Sequence, residues 1–319
     1  MLNSINPPIF RKYRVNVTEI YGDVDDFYQV FLPAWQNALL SEKQTKRQRA
    51  FRMSPSEVMT LLIRFQGSNY RDFKHYYTNY VPSVLKRKFP KRVSYNRFID
   101  LGQSVLVPLC AYLYTRRVTS RGIAFVDSTP IRVCHNRRIS RHRTFEGIAQ
   151  RGKDSVGWFY GFKLHLIVDD PGELVSFFVT PGNVDERQGL RKMANFVKGK
   201  RFGDKGYISK ALVEELGDQG VQLVTRLRRN MKPVVVDGFD KILLRKRSLI
   251  ETINDQLKNI SQLEHSRHRS LTGFMLNLVA ALVAYSFQPK KPSLNLFLNA
   301  QAMVVVNDNN GCYASQTAV

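Results

Sequence analysis

The sequence predicts an α/β protein, in which a mixed five-stranded sheet with helices follows a helical N-terminal region. Three observations lead to this prediction. The 319 residues suit about two domains. A hydrophobic content of 43% is sufficient for a core. Near residue 120 the apolar pattern changes from helical spacing to short strands. We therefore expect a helical region over 1–120, the sheet-containing domain over 121–289, and a flexible tail over 290–319.

The N-terminal region carries a well-marked helix start. The segment Ser54-Pro55-Ser56-Glu57 combines a capping Ser, a Pro in the first turn and a Glu three residues after the cap. Helical apolar spacing follows, Gly67-Ser68-Asn69 interrupts it, and a second helix is predicted over Tyr70–Tyr80. Short helices joined by a Gly-containing turn are compatible with a helix-turn-helix and equally with an ordinary helical bundle.

Beyond residue 120 the pattern predicts strands and helices in a definite order. Five strands are predicted at Ile123–Val126, Phe162–Val168, Leu174–Val179, Arg201–Gly203 and Val221–Leu227. Three helices are predicted at Asp185–Phe196, Ser209–Leu216 and Arg247–Leu263. The resulting order, β-β-β-α-β-α-β-α, is that of a ribonuclease-H-like fold.

Charge is the most unusual property of the composition. The 49 Lys and Arg residues exceed the 26 Asp and Glu residues, which gives a net charge of +23. Such an excess is typical of a protein that binds a polyanion, and a nucleic-acid phosphate backbone is the commonest one.

A membrane partner is not expected. The sequence shows no signal peptide or lipidation motif. The apolar segment Leu271–Phe287 is shorter than the ~20 residues a bilayer requires, so we interpret it as a buried helix. Three cysteines without CxxC spacing argue against a disulfide framework or a structural zinc site, and a reducing cytoplasm is expected.

Three acids occupy positions at which this fold would bring them together. Asp127 follows the first predicted strand, Asp204 follows the fourth, and Glu251 lies on the last long helix. Carboxylate oxygens are the ligands that Mg²⁺ prefers, and two such ions ~4 Å apart catalyse phosphoryl transfer. We therefore interpret these acids as candidate catalytic residues and metal ligands.

The last helix has two distinct faces. Ile250, Ile253 and Leu257 form an apolar stripe, while Glu251 lies on a separate stripe between Arg247 and Lys258. One interpretation is that the acid binds metal and the bases contact DNA phosphates. The alternative is an exposed helix edge with an ordinary i,i+4 ion pair.

At this point the sequence resembles a known family. The segments FVDST, YGFKLHL, TPGNVDE, GDKGY and R-x₃-E-x₆-K occur in this order over about 135 residues. The pattern is similar to DDE transposases of bacterial insertion sequences, specifically the insertion-sequence 982 family. One departure is Leu244, where related elements often have a Tyr.

The resemblance implies a function and a mechanism. Asp127, Asp204 and Glu251 would bind two Mg²⁺ or Mn²⁺ ions for cleavage at transposon ends and strand transfer into target DNA. It also implies a homodimer on DNA in a bacterial, nucleoid-associated cytoplasmic setting. Two alternatives remain open: a ribonuclease-H-like nuclease or resolvase that cuts without joining, and a non-catalytic DNA-binding protein derived from a transposase.

Basic residues near the predicted site are candidate DNA contacts, although a basic run is often only a solvated face. The predicted contacts are Arg247, Lys258, Lys205, Lys163, Arg137, Arg138, Arg141 and Arg143. We expect the last four on a loop directly after Asp127. A further basic cluster at Lys86–Arg97 is our candidate for binding the transposon ends.

Several other polar residues have simpler interpretations. We expect Asp169, Asp170 and Glu173 to form a turn. Asp185 is interpreted as a helix cap, with support of the acidic site as the alternative. His165 is expected to be a structural, hydrogen-bonded histidine.

Overall fold

The structure is a computed structural model that describes residues 16–41, 52–68, 70–193, 198–227, 229–231, 236–264 and 268–294. Several sequence predictions lie outside these residues. They are the last residues of the helix predicted to end at Phe196, Asn69 of the predicted helix break, and the tail beyond residue 294.

Helices make up the described N-terminal region, as predicted. They are α1 (Val17–Ser41), α2 (Pro55–Gln66), α3 (Phe73–His75), a π-helical turn (Tyr76–Tyr80), α4 (Val81–Val84), α5 (Tyr95–Ser104) and α6 (Leu106–Thr115). The predicted start of α2 is confirmed, because the Ser54 hydroxyl accepts from the Glu57 amide at 3.1 Å and the Glu57 carboxylate accepts from the Ser54 amide at 2.7 Å.

The second predicted helix starts later than the sequence indicated. It begins at Phe73 rather than Tyr70, because Asp72 adopts an extended conformation and its carboxylate caps the amides of Lys74 and His75. It then widens into the π-helical turn and continues past Tyr80 as α4. The aromatic rings of this segment pack inward, with Phe73 and Phe98 stacked at 5.4 Å.

One mixed sheet forms the centre of the second region. Its strands are β1 (Ile123–Cys134), β2 (Gln150–Lys153), β3 (Trp158–Asp169), β4 (Leu174–Pro181), β5 (Gly199–Gly203) and β6 (Val221–Thr225). The main path runs β4-β3-β1-β5-β6, and β2 pairs with the N-terminal part of β3 on the same side as β4. Strands β1, β3 and β4 are antiparallel, whereas β5 and β6 run parallel to β1. Five of these six strands were predicted.

The prediction of a loop directly after Asp127 was wrong. Strand β1 continues through Asp127 to Cys134, because it pairs with β3 from Ala124↔Asp169 to Cys134↔Tyr160. A 3₁₀ helix, Asn136–Arg141, follows, and then the unpredicted strand β2. This segment contains polar and basic residues, so sequence periodicity did not indicate that it is a strand.

Helices cover both faces of the sheet. They are α7 (Glu186–Met193), α8 (Lys210–Asp218), α9 (Gly238–Lys246), α10 (Ser248–Asn259) and α11 (Leu271–Ser286). Helices α7 and α8 pack on the face that carries Ala124 and Val126. Helices α10 and α11 lie on the opposite face, which carries Phe125. The helix predicted over Arg247–Leu263 begins at Ser248 and ends at Asn259.

Helix α11 lies between the sheet and the N-terminal helices. It contacts α2, α5, α6 and α10. Phe274 stacks on Phe162 of β3 at 4.9 Å, and Asn277 accepts a hydrogen bond from Gln66 of α2 at 2.8 Å. The prediction of a buried helix is confirmed. Within the described ranges no single helix is long and apolar enough to cross a membrane, although the bent pair α5 and α6 passes by length and composition.

Candidate active site

Strand β5 ends before β1 does, so the later part of β1 is not paired with β5. Their parallel pairing stops at Phe125↔Phe202, and β5 ends at Gly203 while β1 continues. Asp127 and Asp204 therefore each lie two residues beyond the last paired position on adjacent strands. The predicted juxtaposition of these two acids is present in the fold. We call the space beside β1 beyond the end of β5 the notch.

Asp127 is held by two side chains from the α10 side of the sheet. The Asn254 amide nitrogen donates to Asp127 Oδ2 at 2.9 Å, and Arg247 Nη1 lies 3.4 Å from Asp127 Oδ1. Burial raises the pKa of Asp127 from 3.8 to about 7, although the Arg247 guanidinium opposes this rise. The carboxyl thus lies in an environment that disfavours its charge unless further positive charge is supplied.

Arg247 joins two of the three predicted acids. Its Nη2 also contacts Glu251 Oε1, four residues along the chain. The i,i+4 ion pair considered as the alternative interpretation is therefore present, but the same guanidinium reaches Asp127 as well. Arg247 immediately precedes α10, and its contact with Asp127 places its side chain between the helix start and β1.

Asp204 forms the start of a short turn. It precedes the 3₁₀ helix Lys205–Tyr207, and its Oδ1 accepts a hydrogen bond from the Gly206 amide at 2.7 Å. A Cβ at Gly206 would lie 2.9 Å from that oxygen and 2.7 Å from Glu186 Oε2. Glycine at this position therefore leaves room for two carboxylates from different elements to approach the same small space.

The three predicted acids influence one another electrostatically. Asp204 and Glu251 both contribute to raising the pKa of Asp127, so their charges lie near it. Across the residues that the structure describes, however, no group of three or more His, Cys, Asp or Glu side chains is arranged to hold a metal ion. The Arg247 cation contacts two of the acids and offsets part of their mutual repulsion.

The lysines predicted to contact DNA have different surroundings. Lys205 is exposed directly after Asp204. The Lys163 ammonium donates to the Val184 carbonyl at 3.0 Å. Lys258 is largely buried, and its Nζ lies 3.5 Å from Glu264 Oε1. Of these three, Lys205 is the one presented to solvent beside the acids.

The four arginines of the 136–143 segment lie away from the acids. All four are exposed on or just after the 3₁₀ helix: Arg137, Arg138, Arg141 and Arg143. Cys134 lies seven residues after Asp127 along the extended strand, which corresponds to roughly 23 Å. The end of β1, where the segment with these arginines begins, therefore lies about seven base-pair steps of DNA from Asp127, given about 3.4 Å per pair along one strand.

Polar residues given simpler interpretations behave as expected. Asp169 Oδ1 accepts from the Glu173 amide at 2.7 Å within the predicted turn. Asp185 accepts from the Arg187 amide at 2.9 Å, as a capping residue does. His165 is fully buried, with Nε2 2.9 Å from Thr180 Oγ1, and burial lowers its pKa to about 4.

Three residues at the notch were not singled out as site residues from the sequence. Asn254 orients Asp127, and the Glu186 carboxylate lies close to that of Asp204. The Tyr207 hydroxyl is buried near Glu186, Asp127 and Asp204. Asn254 is three residues after Glu251 on the helix, a spacing that places side chains on neighbouring positions of a helix surface. That spacing was the available signal. Glu186 gave no separate signal, because Asp185 before it accounted for the helix start.

The segment that contains these acids is similar to a known protein family. Residues 117–271 match the family model of the transposase DDE domain. The match supports a DDE transposase, and the matched segment contains all three predicted acids together with Arg247 and Asn254.

A solved structure of the piggyBac transposase in a synaptic complex with hairpin DNA is 11% identical to this chain. The alignment covers 98% of this chain and 84% of the other, with a TM-score of 0.49. No curated protein has a sequence that matches this chain.

Proposed function

We propose that this protein is a DNA transposase that cleaves DNA at transposon ends and joins them to target DNA. We assign its sheet-containing domain to the ribonuclease-H-like fold and its sequence to the insertion-sequence 982 family. The observation that carries the proposal is the placement of Asp127, Asp204 and Glu251 around one notch, inside a segment that matches the transposase DDE domain.

The donor set of the notch suits a hard divalent cation. Carboxylate oxygens from β1, from the turn after β5 and from α10 border it, and such oxygens are the preferred ligands of Mg²⁺ and Mn²⁺. The fully buried Tyr207 hydroxyl has no hydrogen-bond partner among the described residues, and Gly206 leaves open a space that a Cβ would fill. We propose that Asp127, Asp204 and Glu251 hold two such ions. When bound, such ions would activate the attacking oxygen and stabilise the leaving oxygen.

The chain's own residues would prepare this chemistry. Asn254 fixes the orientation of Asp127, and the Gly206 amide fixes that of Asp204. Arg247 balances the negative charge of Asp127 and Glu251, and in a DNA complex its guanidinium would turn to a phosphate. Lys205, exposed beside Asp204, would contact the backbone next to the cleaved bond.

Partners and setting follow from the same proposal. The excess of basic residues supports binding of double-stranded DNA, both transposon ends and target. We propose that residues 1–120 bind the ends, that 121–289 perform the chemistry, and that two copies act together on DNA. A bacterial cytoplasmic location beside the nucleoid belongs to this proposal.

The decisive experiment is a cleavage and joining assay with the DNA that flanks the gene. In Mg²⁺, the wild-type protein should release a 3′-OH end and transfer it to a target duplex. Asp127→Asn and Asp204→Asn should each reduce both products by at least about a hundredfold, because each removes one charged ligand. A matched control is Asp218→Asn, an exposed acid at the end of α8, which should retain full activity.

Each outcome has a definite meaning. Full activity in the Asp127 and Asp204 variants contradicts the proposed site. Cleavage without joining identifies a nuclease or resolvase instead. Binding of the end DNA without either reaction, in Mg²⁺ and in Mn²⁺, identifies a non-catalytic DNA-binding protein.

A further inference from the structure

The notch receives side chains from both faces of the sheet. Successive residues of a strand point to opposite faces. Asp127 therefore points to the α10 face, where Asn254 contacts it, and Ser128 points to the α7 face. Because β5 ends at Gly203, no strand of the described residues lies beside β1 on the β5 side beyond this point. Groups on α7 can thus approach the acids from the side opposite to α10.

Glu186 is the residue of α7 that does so. It is the first residue of that helix, and its carboxylate accepts a hydrogen bond from the Ser128 side chain, next to Asp127. The same carboxylate and that of Asp204 both border the space at Gly206 described above. Glu186 consequently lies between the strand of Asp127 and the turn of Asp204.

A second observation independent of the carboxylates points to a ligand at this place. The Tyr207 side chain is 0% exposed, and its hydroxyl has no hydrogen-bond partner among the described residues. The charges that act on it are those of Glu186, Asp127 and Asp204, opposed by that of Arg247, so it is directed at the acidic cluster. A buried hydroxyl without a partner is unfavourable, and a ligand or its bound water would satisfy it.

We propose that Glu186 is a fourth acidic residue of the site and holds a divalent cation together with Asp204. The inference rests on the proposed metal-dependent function and adds a ligand from the helix after β4. The positive groups close to Glu186 do not replace such a cation. Lys163 acts on it electrostatically, but its ammonium donates to the Val184 carbonyl, and Arg247 contacts Asp127 and Glu251.

The test measures Mn²⁺ binding to the full-length protein without DNA, by electron paramagnetic resonance of the free ion. Glu186→Gln keeps the shape of the side chain but removes its charge, and it should weaken binding about 10- to 100-fold. Glu186→Asp retains a carboxylate and should recover part of the affinity. The matched control is Glu214→Gln, an exposed glutamate of α8, which should bind Mn²⁺ as the wild type does.

A second readout separates ligand loss from misfolding. Mn²⁺ should raise the unfolding temperature of the wild type and of Glu214→Gln, but raise that of Glu186→Gln less. In EDTA, Glu186→Gln should unfold at or above the wild-type temperature, because it removes one of several like charges at the notch.

The outcomes distinguish this inference from the proposed function. If Asp204→Asn weakens Mn²⁺ binding but Glu186→Gln binds as the wild type does, the fourth ligand is refuted and the triad stands. If the wild type itself does not bind Mn²⁺, the metal-dependent function and the fourth ligand both fail. Weaker binding in Glu186→Gln, with partial recovery in Glu186→Asp, supports the inference.

Discussion

Replacing Asp127 by Asn should make the metal-free protein more stable at alkaline pH than the wild type. Burial raises the pKa of Asp127 from 3.8 to about 7, so the folded state binds this proton more tightly than the unfolded state. The resulting stability is fully present below the unfolded pKa and is lost as the pH rises through about 7. The full difference corresponds to about 4 kcal/mol.

Only part of this effect falls in a practical range of pH. From about pH 5.5 to about pH 8.5, the wild type should lose about 2 kcal/mol that Asp127→Asn does not lose. This corresponds to roughly 4 °C in unfolding temperature for a chain of this size. The substitution can be accommodated, because the Asn254 side-chain oxygen has no partner in the described structure and can accept from the new amide.

The assay is thermal unfolding in EDTA across this range, with Asp218→Asn as the exposed control. We expect the wild-type and control curves to fall together with rising pH, while the Asp127→Asn curve falls less. Saturating Mg²⁺ should abolish the loss in the wild type, because the cation stabilises the carboxylate. A constant difference between wild type and Asp127→Asn at every pH would refute the reasoning.

Three further predictions concern packing, charge balance and DNA. Gly189→Ala should lower the free energy of unfolding by roughly 3 kcal/mol, since its Cβ would lie 2.3 Å from His165 Nδ1. The control Gly217→Ala, whose Cβ would have nothing within 4 Å, should not be destabilised. Equal unfolding temperatures of the two variants would contradict this. Arg247→Ala should lower the unfolding temperature in EDTA but increase the rise in unfolding temperature that Mn²⁺ causes, because the guanidinium no longer contacts the two acids. An unchanged response to Mn²⁺ would contradict this. Replacing all four exposed arginines of the 136–143 segment by Gln should reduce the slope of log affinity against log salt by up to about 4, measured by fluorescence anisotropy on a labelled duplex; an unchanged slope would exclude them as phosphate contacts.

The sequence predicted much of the sheet because its strands alternate or are continuously apolar between clear turns. The turn at Asp169 and the caps at Ser54 and Ser209 are local features, formed by side chains a few residues from the amides they bind. Periodicity and capping are therefore sufficient to find them. The continuation of β1 past Asp127 depends instead on pairing with β3, more than 25 residues away in the chain, and periodicity does not report such pairing.

The acidic site was predictable to a similar extent. Asp127 and Asp204 could be placed together because each follows a strand that the fold makes adjacent. The contact between Arg247 and Asp127 was not predictable, since it depends on where α10 begins and how it crosses β1. The role of Glu186 was not predictable either, because its approach to Asp204 depends on where β5 ends and on the small size of Gly206.

The position of α11 has a consequence for how such proteins diverge. Its central residues are buried on all sides, between helices that precede the sheet in sequence and the sheet itself. An exchange of the first 120 residues for those of a related protein would leave the apolar surface of α11 without the helices that pack on it. If the N-terminal helices bind transposon ends as proposed, variation in their end preference is expected by point substitution on their outer surfaces, with both regions inherited as one unit.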